Sequence, residues 1–442
     1  MKNLISINKK INKFNKKITV SGDKSLSIRF ALLASQALGK SKAFNLLKSE
    51  DVISTLNCLK KLGVQINLKK NYCEINGNGI NSFKYKKNLV LNAGNSGTLG
   101  RLLLGLLIRS PYKIKLIGDK SLSKRDFSRV IDPLKKFGVS FYPKNKNNLP
   151  IFIRGTDFLR PINYLEKKSS AQIKSCIMLA ALNTPGTTKI IARKSRDHSE
   201  ILFKHLKIPI VIKKTKKLDF IKVKGGKNFM SFNYNIPSDI SSSAFFIVLT
   251  LLTKNSCLTI KNVNINPSRI GSIKILNKMG AKIKLKNIKR YKGEKTADIF
   301  VKSAKSLKAI NCPTKYNSGA IDEFLIIFLI AAKAKGISYF KNLAELNQKE
   351  SPRLKLGSKI LNMIGIKTKL TNNSIKIFGR PNLKLNKNYE IKNYLKDHRI
   401  FMMATIASLS LGGNWKIHDS DSIKTSFPAF LEIIKKLGGK IN

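Results

Sequence analysis

One phrase recurs along this chain and limits what it can fold into. An amphipathic helical pattern ends in a large apolar residue, most often Leu or Met, then Gly, then a short β-like run. It stands at Leu59-Lys60-Lys61-Leu62-Gly63-Val64 and at Leu134-Lys135-Lys136-Phe137-Gly138-Val139. Further copies are Leu276-Asn277-Lys278-Met279-Gly280, Leu361-Asn362-Met363-Ile364-Gly365 and Ile434-Lys435-Lys436-Leu437-Gly438. A degenerate copy at His205-Leu206-Lys207-Ile208 has Lys207 where the others have Gly. A glycine at that point fits a helix C-terminal cap in the left-handed conformation. The spacing gives six units of roughly seventy to eighty residues, too long for a solenoid repeat and right for a duplicated small α/β fold.

Each unit also carries a far more apolar helix candidate: Phe30 to Leu38, Leu102 to Ile108, Ile173 to Leu182, Ala244 to Leu252, Phe324 to Ala334 and Ile400 to Leu411. A helix apolar on all sides is a buried one. The expectation is an α/β (α+β) chain of two pseudo-threefold domains, three units each, with helices packed inside a sheet layer. A length of 442 residues and 42% hydrophobic content agree with two large cores.

Polar residues concentrate just before these helices, at Lys24-Ser25-Leu26-Ser27-Ile28-Arg29, Asn95-Ser96-Gly97-Thr98, Ser169-Ser170-Ala171-Gln172, Ser238-Asp239-Ile240-Ser241-Ser242, Ile321-Asp322-Glu323 and Lys396-Asp397-His398-Arg399. Ser, Thr and Asp there are also ordinary N-caps. Six together are different, because helix N-termini attract anions through free N–H groups and the macrodipole. If they converge, the cleft between the domains becomes a trap for multiply anionic small molecules.

The charge is extreme: 85 Lys plus Arg against 24 Asp plus Glu, a formal +61. Alone it points to nucleic acid, a membrane surface or an anionic ligand. The lysines, however, are spread along the whole chain among Asn and Ile, the residues that AT-rich codons specify. A biased genome accounts for them better than a polyanionic partner does. Cys58, Cys73, Cys176, Cys257 and Cys312 are far apart, odd in number and form no C-x-x-C pair, which argues against disulfides and structural zinc. No signal peptide or membrane-length apolar run is evident, so the expectation is a soluble, cytoplasmic protein.

At the polar segments the sequence resembles the enolpyruvylshikimate-phosphate synthase family, almost end to end. Ser21-Gly22-Asp23-Lys24-Ser25-Leu26-Ser27-Ile28-Arg29 is similar to its P-G-[SD]-K-S-x-S-x-R opening, and Asn95 to Arg101 to its N-[AS]-G-T-x-x-R loop. Gly118 to Arg125 resembles G-D-x-S-L-x-x-R, Ser170 to Ser175 resembles S-A-Q-x-K-S, and Ser195-Arg196-Asp197-His198 matches S-R-D-H. The second half supplies Ile321-Asp322-Glu323, Lys349-Glu350-Ser351-Pro352-Arg353 for K-E-S-D-R, and Asp397-His398-Arg399 for D-H-R.

The resemblance implies the family's inverse-barrel fold, each domain built of three β-α-β-α-β-β units, closing over substrate with the active site in the cleft. It also implies that the chain starts in one domain (1–21 plus 238–442), crosses to an inserted one (22–237) and returns. The implied reaction moves the enolpyruvyl group of phosphoenolpyruvate to the 5-hydroxyl of shikimate 3-phosphate, without metal or organic cofactor. By resemblance Asp322 takes the hydroxyl proton, while Glu350 with Lys24 handles protonation at the enolpyruvyl carbon. Lys24, Ser25, Arg29, Ser170, Ala171, Gln172, Arg196, Asp322 and Lys349 would hold shikimate 3-phosphate. Lys24, Gly97, Arg125, Gln172, Arg353 and Arg399 would hold phosphoenolpyruvate, since the planar guanidinium fork suits carboxylate and phosphate. Gly97 would let backbone approach the ligand, and its small size implies glyphosate sensitivity. The bland readings are an N-cap for Asp322, a solvated charge for Glu350 and a turn glycine for Gly97.

Four places depart from the family pattern. Asp126 stands where Pro is usual, Asn347-Gln348 replace Arg-Val, Thr425 stands where some relatives have Lys, and Pro352 replaces Asp. The last substitution is expected to loosen the setting of Arg353. His198 and His398 read as hydrogen-bonding structural groups; His205, His418 and Trp415 carry no signal. Within the same fold, UDP-N-acetylglucosamine enolpyruvyl transferases carry a reactive cysteine near Arg125, and Gly118 to Arg129 has none. RNA 3′-phosphate cyclase does not fit six units. The remaining alternative is a nucleic-acid-binding protein on a retained scaffold. The expected partners are the two small-molecule substrates, with no nucleic acid or membrane, and the expected state is a monomer.

Overall fold

The computed structural model describes residues 3–442. The six apolar stretches form helices at Lys24–Ala34, Gly97–Leu104, Ala171–Leu182, Ile240–Leu252, Phe324–Lys333 and His398–Leu411. All residues from Ile240 to Leu251 and from Phe324 to Ala332 are buried, as a helix without a polar face demands. Most of these helices begin earlier in the sequence than the apolar periodicity suggests. The polar segments form the first turn and its cap, because Asp23, Ser96, Ser170, Asp239 and Asp397 each accept a backbone N–H with the side chain.

A second helix in each unit is amphipathic: Glu50–Lys61, Ser128–Lys136, His198–His205, Gly271–Lys278, Arg353–Met363 and Phe430–Lys436. The repeated phrase closes each one. Gly63, Gly138, Gly280, Gly365 and Gly438 have φ of +86°, +103°, +96°, +79° and +92°. In the degenerate copy Lys207 takes the same left-handed turn at φ +54°, and Ile208 still donates to the Phe203 carbonyl across it at 3.0 Å.

Six small sheets accompany the helices. Five pair one parallel strand with antiparallel neighbours. In the sixth, Ile337–Phe340, the parallel partner shrinks to isolated bridges at Lys308 and Asn311. In four units the last strand crosses the end of the buried helix at a glycine. A β-carbon at Gly77, Gly155, Gly225 or Gly379 would lie 2.3, 2.3, 1.9 or 2.0 Å from a carbonyl oxygen there.

The chain divides into two compact units. Unit one is Met1–Ser21, Pro237–Arg290 and Lys295–Asn442; unit two is Gly22–Ile236 with Tyr291–Glu294. Each has three sheets, three buried helices and its own hydrophobic core. Each is also closed by a strand from beyond the insertion point. Asn15–Ile18 runs parallel to Cys257–Asn264 in unit one. Asn233–Asn235 runs parallel to Leu38–Phe44 in unit two. Among the described residues no helix is long and apolar enough to cross a membrane.

Lys207 carries a β-carbon where its five counterparts carry none. Lys207→Gly is therefore expected to stabilise unit two by roughly 0.5–1 kcal/mol. A higher urea or thermal unfolding midpoint checks this, and an unchanged or lower one contradicts it.

Candidate active site

Unit one assembles its polar residues around one buried cation. Arg353, the first residue of its helix, has 2% of its side chain exposed. It donates to both Asp397 oxygens at 2.9 and 3.2 Å. Its NH2 also lies 2.5 Å from Glu350 Oε2, and its NH1 lies 3.7 Å from Asp322 Oδ1. Lys349 Nζ stands 3.2 Å from the same Asp322 oxygen, and Arg399 NH1 donates to the Asp322 carbonyl at 2.7 Å. Six motif residues from three motifs, in two units of the repeat, thus form one network.

Asp397 ties that network together. Its carboxylate also accepts from Ser351 Oγ at 2.8 Å and caps its helix at the Arg399 N–H, 2.9 Å away. Burial alone would push the Asp397 carboxyl up, but the Arg353 guanidinium beside it holds it below the ordinary carboxylate value. Burial works against the Arg353 charge as well, and Asp397, Glu350 and Asp322 more than offset it.

Asp322 sits in the turn between Asn317–Ala320 and Phe324–Lys333. The N-cap position there falls to Glu323, whose side chain makes no capping bond. The Asp322 side chain, 14% exposed, faces Lys349 and Arg353, and Glu350 is 18% exposed and ion-paired rather than solvated. Pro352 leaves Arg353 firmly seated, contrary to the loosening expected, because Asp397 and Glu350 supply the carboxylates that hold it. Thr425 lies 3.4 Å from His398 Nδ1 and donates to the Ser422 carbonyl, while Lys424 is exposed.

Unit two brings its motifs together in pairs. Lys24, at the start of its helix, is 2.8 Å from Asp51 Oδ2. Arg29 is 5% exposed and donates to the Ser25 carbonyl, Ser175 Oγ and Ser199 Oγ at 3.1, 3.0 and 2.9 Å, which links two motifs and the residue that follows a third. Gln172 accepts from Arg101 at 2.8 Å and donates to Thr98 at 3.1 Å. Arg125 donates to Asn95 at 3.3 Å. A β-carbon on Gly97 would lie 3.0 Å from NH1 of both Arg101 and Arg125, so glycine here leaves room for two guanidinium groups. Ser170 caps the helix that starts at Ala171, and Arg196 lies half-buried before the helix His198–His205. Asp126 accepts from Ser128 N and Oγ at 2.8 and 2.7 Å, so this departure from Pro shapes the entry to the next helix.

Several residues that matter here escaped the sequence reading. Asp51, in the first turn of the helix Glu50–Lys61, pairs with Lys24. Glu166 ends the strand Asn163–Glu166. It is buried, accepts from the Lys168 N–H at 2.7 Å and receives Ser169 and Ser170 N–H groups as well, so it shapes the loop that presents Ser170. Lys174 and Glu200 form a buried pair at 2.5 Å, and His198 meets Glu294 at 2.6 Å. No signal in a chain with 85 basic residues marks such pairs in advance. Among the described residues no group of three His, Cys, Asp or Glu is arranged to hold a metal ion.

The family model of EPSP synthase (3-phosphoshikimate 1-carboxyvinyltransferase) matches residues 8–434. The chain belongs to the EPSP synthase family. It is 39% identical over 430 residues to the 3-phosphoshikimate 1-carboxyvinyltransferase of Ruthia magnifica, covering 96% of each chain. It is equally 39% identical over 427 residues to that of Petrotoga mobilis, covering 96% of this chain and 97% of the other. A solved EPSP synthase from Acinetobacter baumannii superposes with a TM-score of 0.87 at 34% identity, covering 99% of each chain. The enolpyruvyl transferase NikO from Streptomyces tendae, at 15% identity and a TM-score of 0.77, shares the fold. The two-domain inverse-barrel architecture of this family is thereby that of the chain.

The depressed Asp397 carboxyl fixes a sign. A group with a lowered folded pKa contributes stability above its unfolded value, near pH 4, and loses it as pH falls through the folded value. Asp397→Asn is expected to cost about 3–5 kcal/mol at neutral pH, because it leaves a buried guanidinium short of an anion. That deficit should shrink as pH drops below about 4. Unfolding midpoints of both proteins across pH check this, and a pH-independent difference contradicts it.

Proposed function

We infer that this chain transfers the enolpyruvyl group of phosphoenolpyruvate to the 5-hydroxyl of shikimate 3-phosphate and releases phosphate. The observation that carries this is the Asp322–Lys349–Glu350–Arg353–Asp397–Arg399 network, found in a chain that the family matches over almost its whole length.

The chemistry needs a base for the hydroxyl, an acid for the alkene carbon, and cations for two phosphates and two carboxylates. Asp322, directed at Lys349 and Arg353 and not committed to its helix N-cap, suits the base. It removes the 5-hydroxyl proton as that oxygen attacks C2 of phosphoenolpyruvate. Glu350 and Lys24 deliver a proton to C3, which gives a tetrahedral intermediate. Loss of a proton from C3 and departure of phosphate then restore the enol ether. Arg125, Arg353 and Arg399, with Lys24, Gln172 and the backbone at Gly97, bind phosphoenolpyruvate. Lys24, Ser25, Arg29, Ser170, Ala171, Gln172, Arg196, Asp322 and Lys349 bind shikimate 3-phosphate.

Three of the proposed phosphoenolpyruvate ligands are guanidinium groups already held by carboxylate, carbonyl or amide oxygens. Such anchoring lowers the entropy cost of meeting the ligand. We place the protein in the cytoplasm as a monomer; its five cysteines, all free thiols, suit a reducing compartment.

Phosphate release should require both substrates together and fall by at least about 10²-fold in Asp322→Ala, the scale of a lost general base. Release from phosphoenolpyruvate alone, or an unimpaired Asp322→Ala enzyme, contradicts the assignment.

A further inference from the structure

Five of the six buried helices spend their N-cap side chain on their own backbone, with Asp23, Ser96, Ser170, Asp239 and Asp397 as caps. The sixth, which follows Asp322, does not. Its N-cap residue, Glu323, has no exposed surface and turns its carboxylate to the neighbouring buried helix, where Ser241 Oγ donates to it. The same hydroxyl accepts from Arg269 NH2 at 2.9 Å, and Arg269, 2% exposed, lies 3.6 Å from Asp239.

Burying a carboxylate costs several kcal/mol unless partners repay it, and Glu323, unlike the buried aspartate caps, does not satisfy its own helix end in return. A glutamate at this cap is therefore a poor choice for stability alone, and it directly follows the proposed base. The backbone ahead of Asp322 is also tightly seated. A β-carbon on Gly271 would come within 2.6 Å of the Tyr316 carbonyl and 2.8 Å of the Ala320 nitrogen. Arg399 holds the Asp322 carbonyl from the other side.

We propose that Glu323, Ser241 and Arg269 are positioning residues that fix the turn carrying Asp322, so that its carboxylate meets the acceptor hydroxyl in a reactive geometry. This rests on the reading of Asp322 as the base. None of the three is among the residues assigned to substrate binding, so loss of the relay should appear in turnover and spare binding. A displacement of about 1 Å in a catalytic group is enough to cost on the order of 10²-fold.

The test is steady-state kinetics of the full chain for Ser241→Ala, Glu323→Gln and Ser241→Thr, beside Asp322→Ala. Ser241→Ala and Glu323→Gln should each lower kcat about tenfold or more, with KM for both substrates within about threefold. Ser241→Thr, which keeps the hydroxyl, should recover most of the loss. In the Asp322→Ala background Ser241→Ala should cost nothing further, because its effect acts through the missing base. Should Glu323→Gln fail to fold, Ser241→Ala decides alone. Wild-type kcat in a folded Ser241→Ala protein, or a loss confined to KM, overturns the relay while leaving the base reading intact if Asp322→Ala is dead. An active Asp322→Ala enzyme overturns both.

Discussion

A guanidinium with 2% of its side chain in contact with solvent survives inside a protein only if anions surround it. Arg353 has Asp397 on two of its nitrogens, Glu350 on a third contact and Asp322 within 4 Å. Each of those carboxylates is in turn held in place by the same cation. Remove Arg353 and three acids are left to repel one another; remove Asp397 and a buried charge loses its main partner. Three cations and three carboxylates from separate motifs therefore form a unit that is nearly neutral before substrate arrives. This arrangement fixes the acids, with Lys349 and Arg399 bound to Asp322 at its side chain and its carbonyl.

The sixfold repeat makes such a unit possible. Each copy delivers one buried helix with polar residues at or just before its start and a largely apolar body. The apolar body anchors the helix in the core, and the polar start can then be varied from copy to copy. Asp23, Ser96, Ser170, Asp239 and Asp397 are variations that serve the helix end itself. Glu323 is the exception, and it falls next to Asp322. A departure from the local rule at one copy out of six is where function is to be expected.

The repeated Leu-Gly phrase was legible because a left-handed cap needs glycine, and the five glycines adopt positive φ. Lys207 was legible as the odd copy by comparison with the others. The six buried helices followed from apolar runs without a polar face. Their starts were harder to read, because Lys24, Gly97 and Ala171 belong to the helix although the apolar pattern begins several residues later. The motif residues of the site could be named in order, but not their partners. Nothing in the sequence says that Asp397 rather than a residue at position 352 would hold Arg353. Nor does it say that Ser241 would face Glu323. Those pairings join segments 44 and 82 residues apart, and only the packing of helices on one another creates them.

The claim that the Arg353 network is the working unit can be tested by one substitution. Arg353→Lys keeps the charge but lacks the planar fork, so it cannot bond both Asp397 oxygens while also reaching Glu350. The account expects a folded protein whose phosphate release from the two substrates falls by about 10²-fold or more. A folded Arg353→Lys enzyme that turns over at the wild-type rate would show that only the charge matters, and the network described here would not be what drives the reaction.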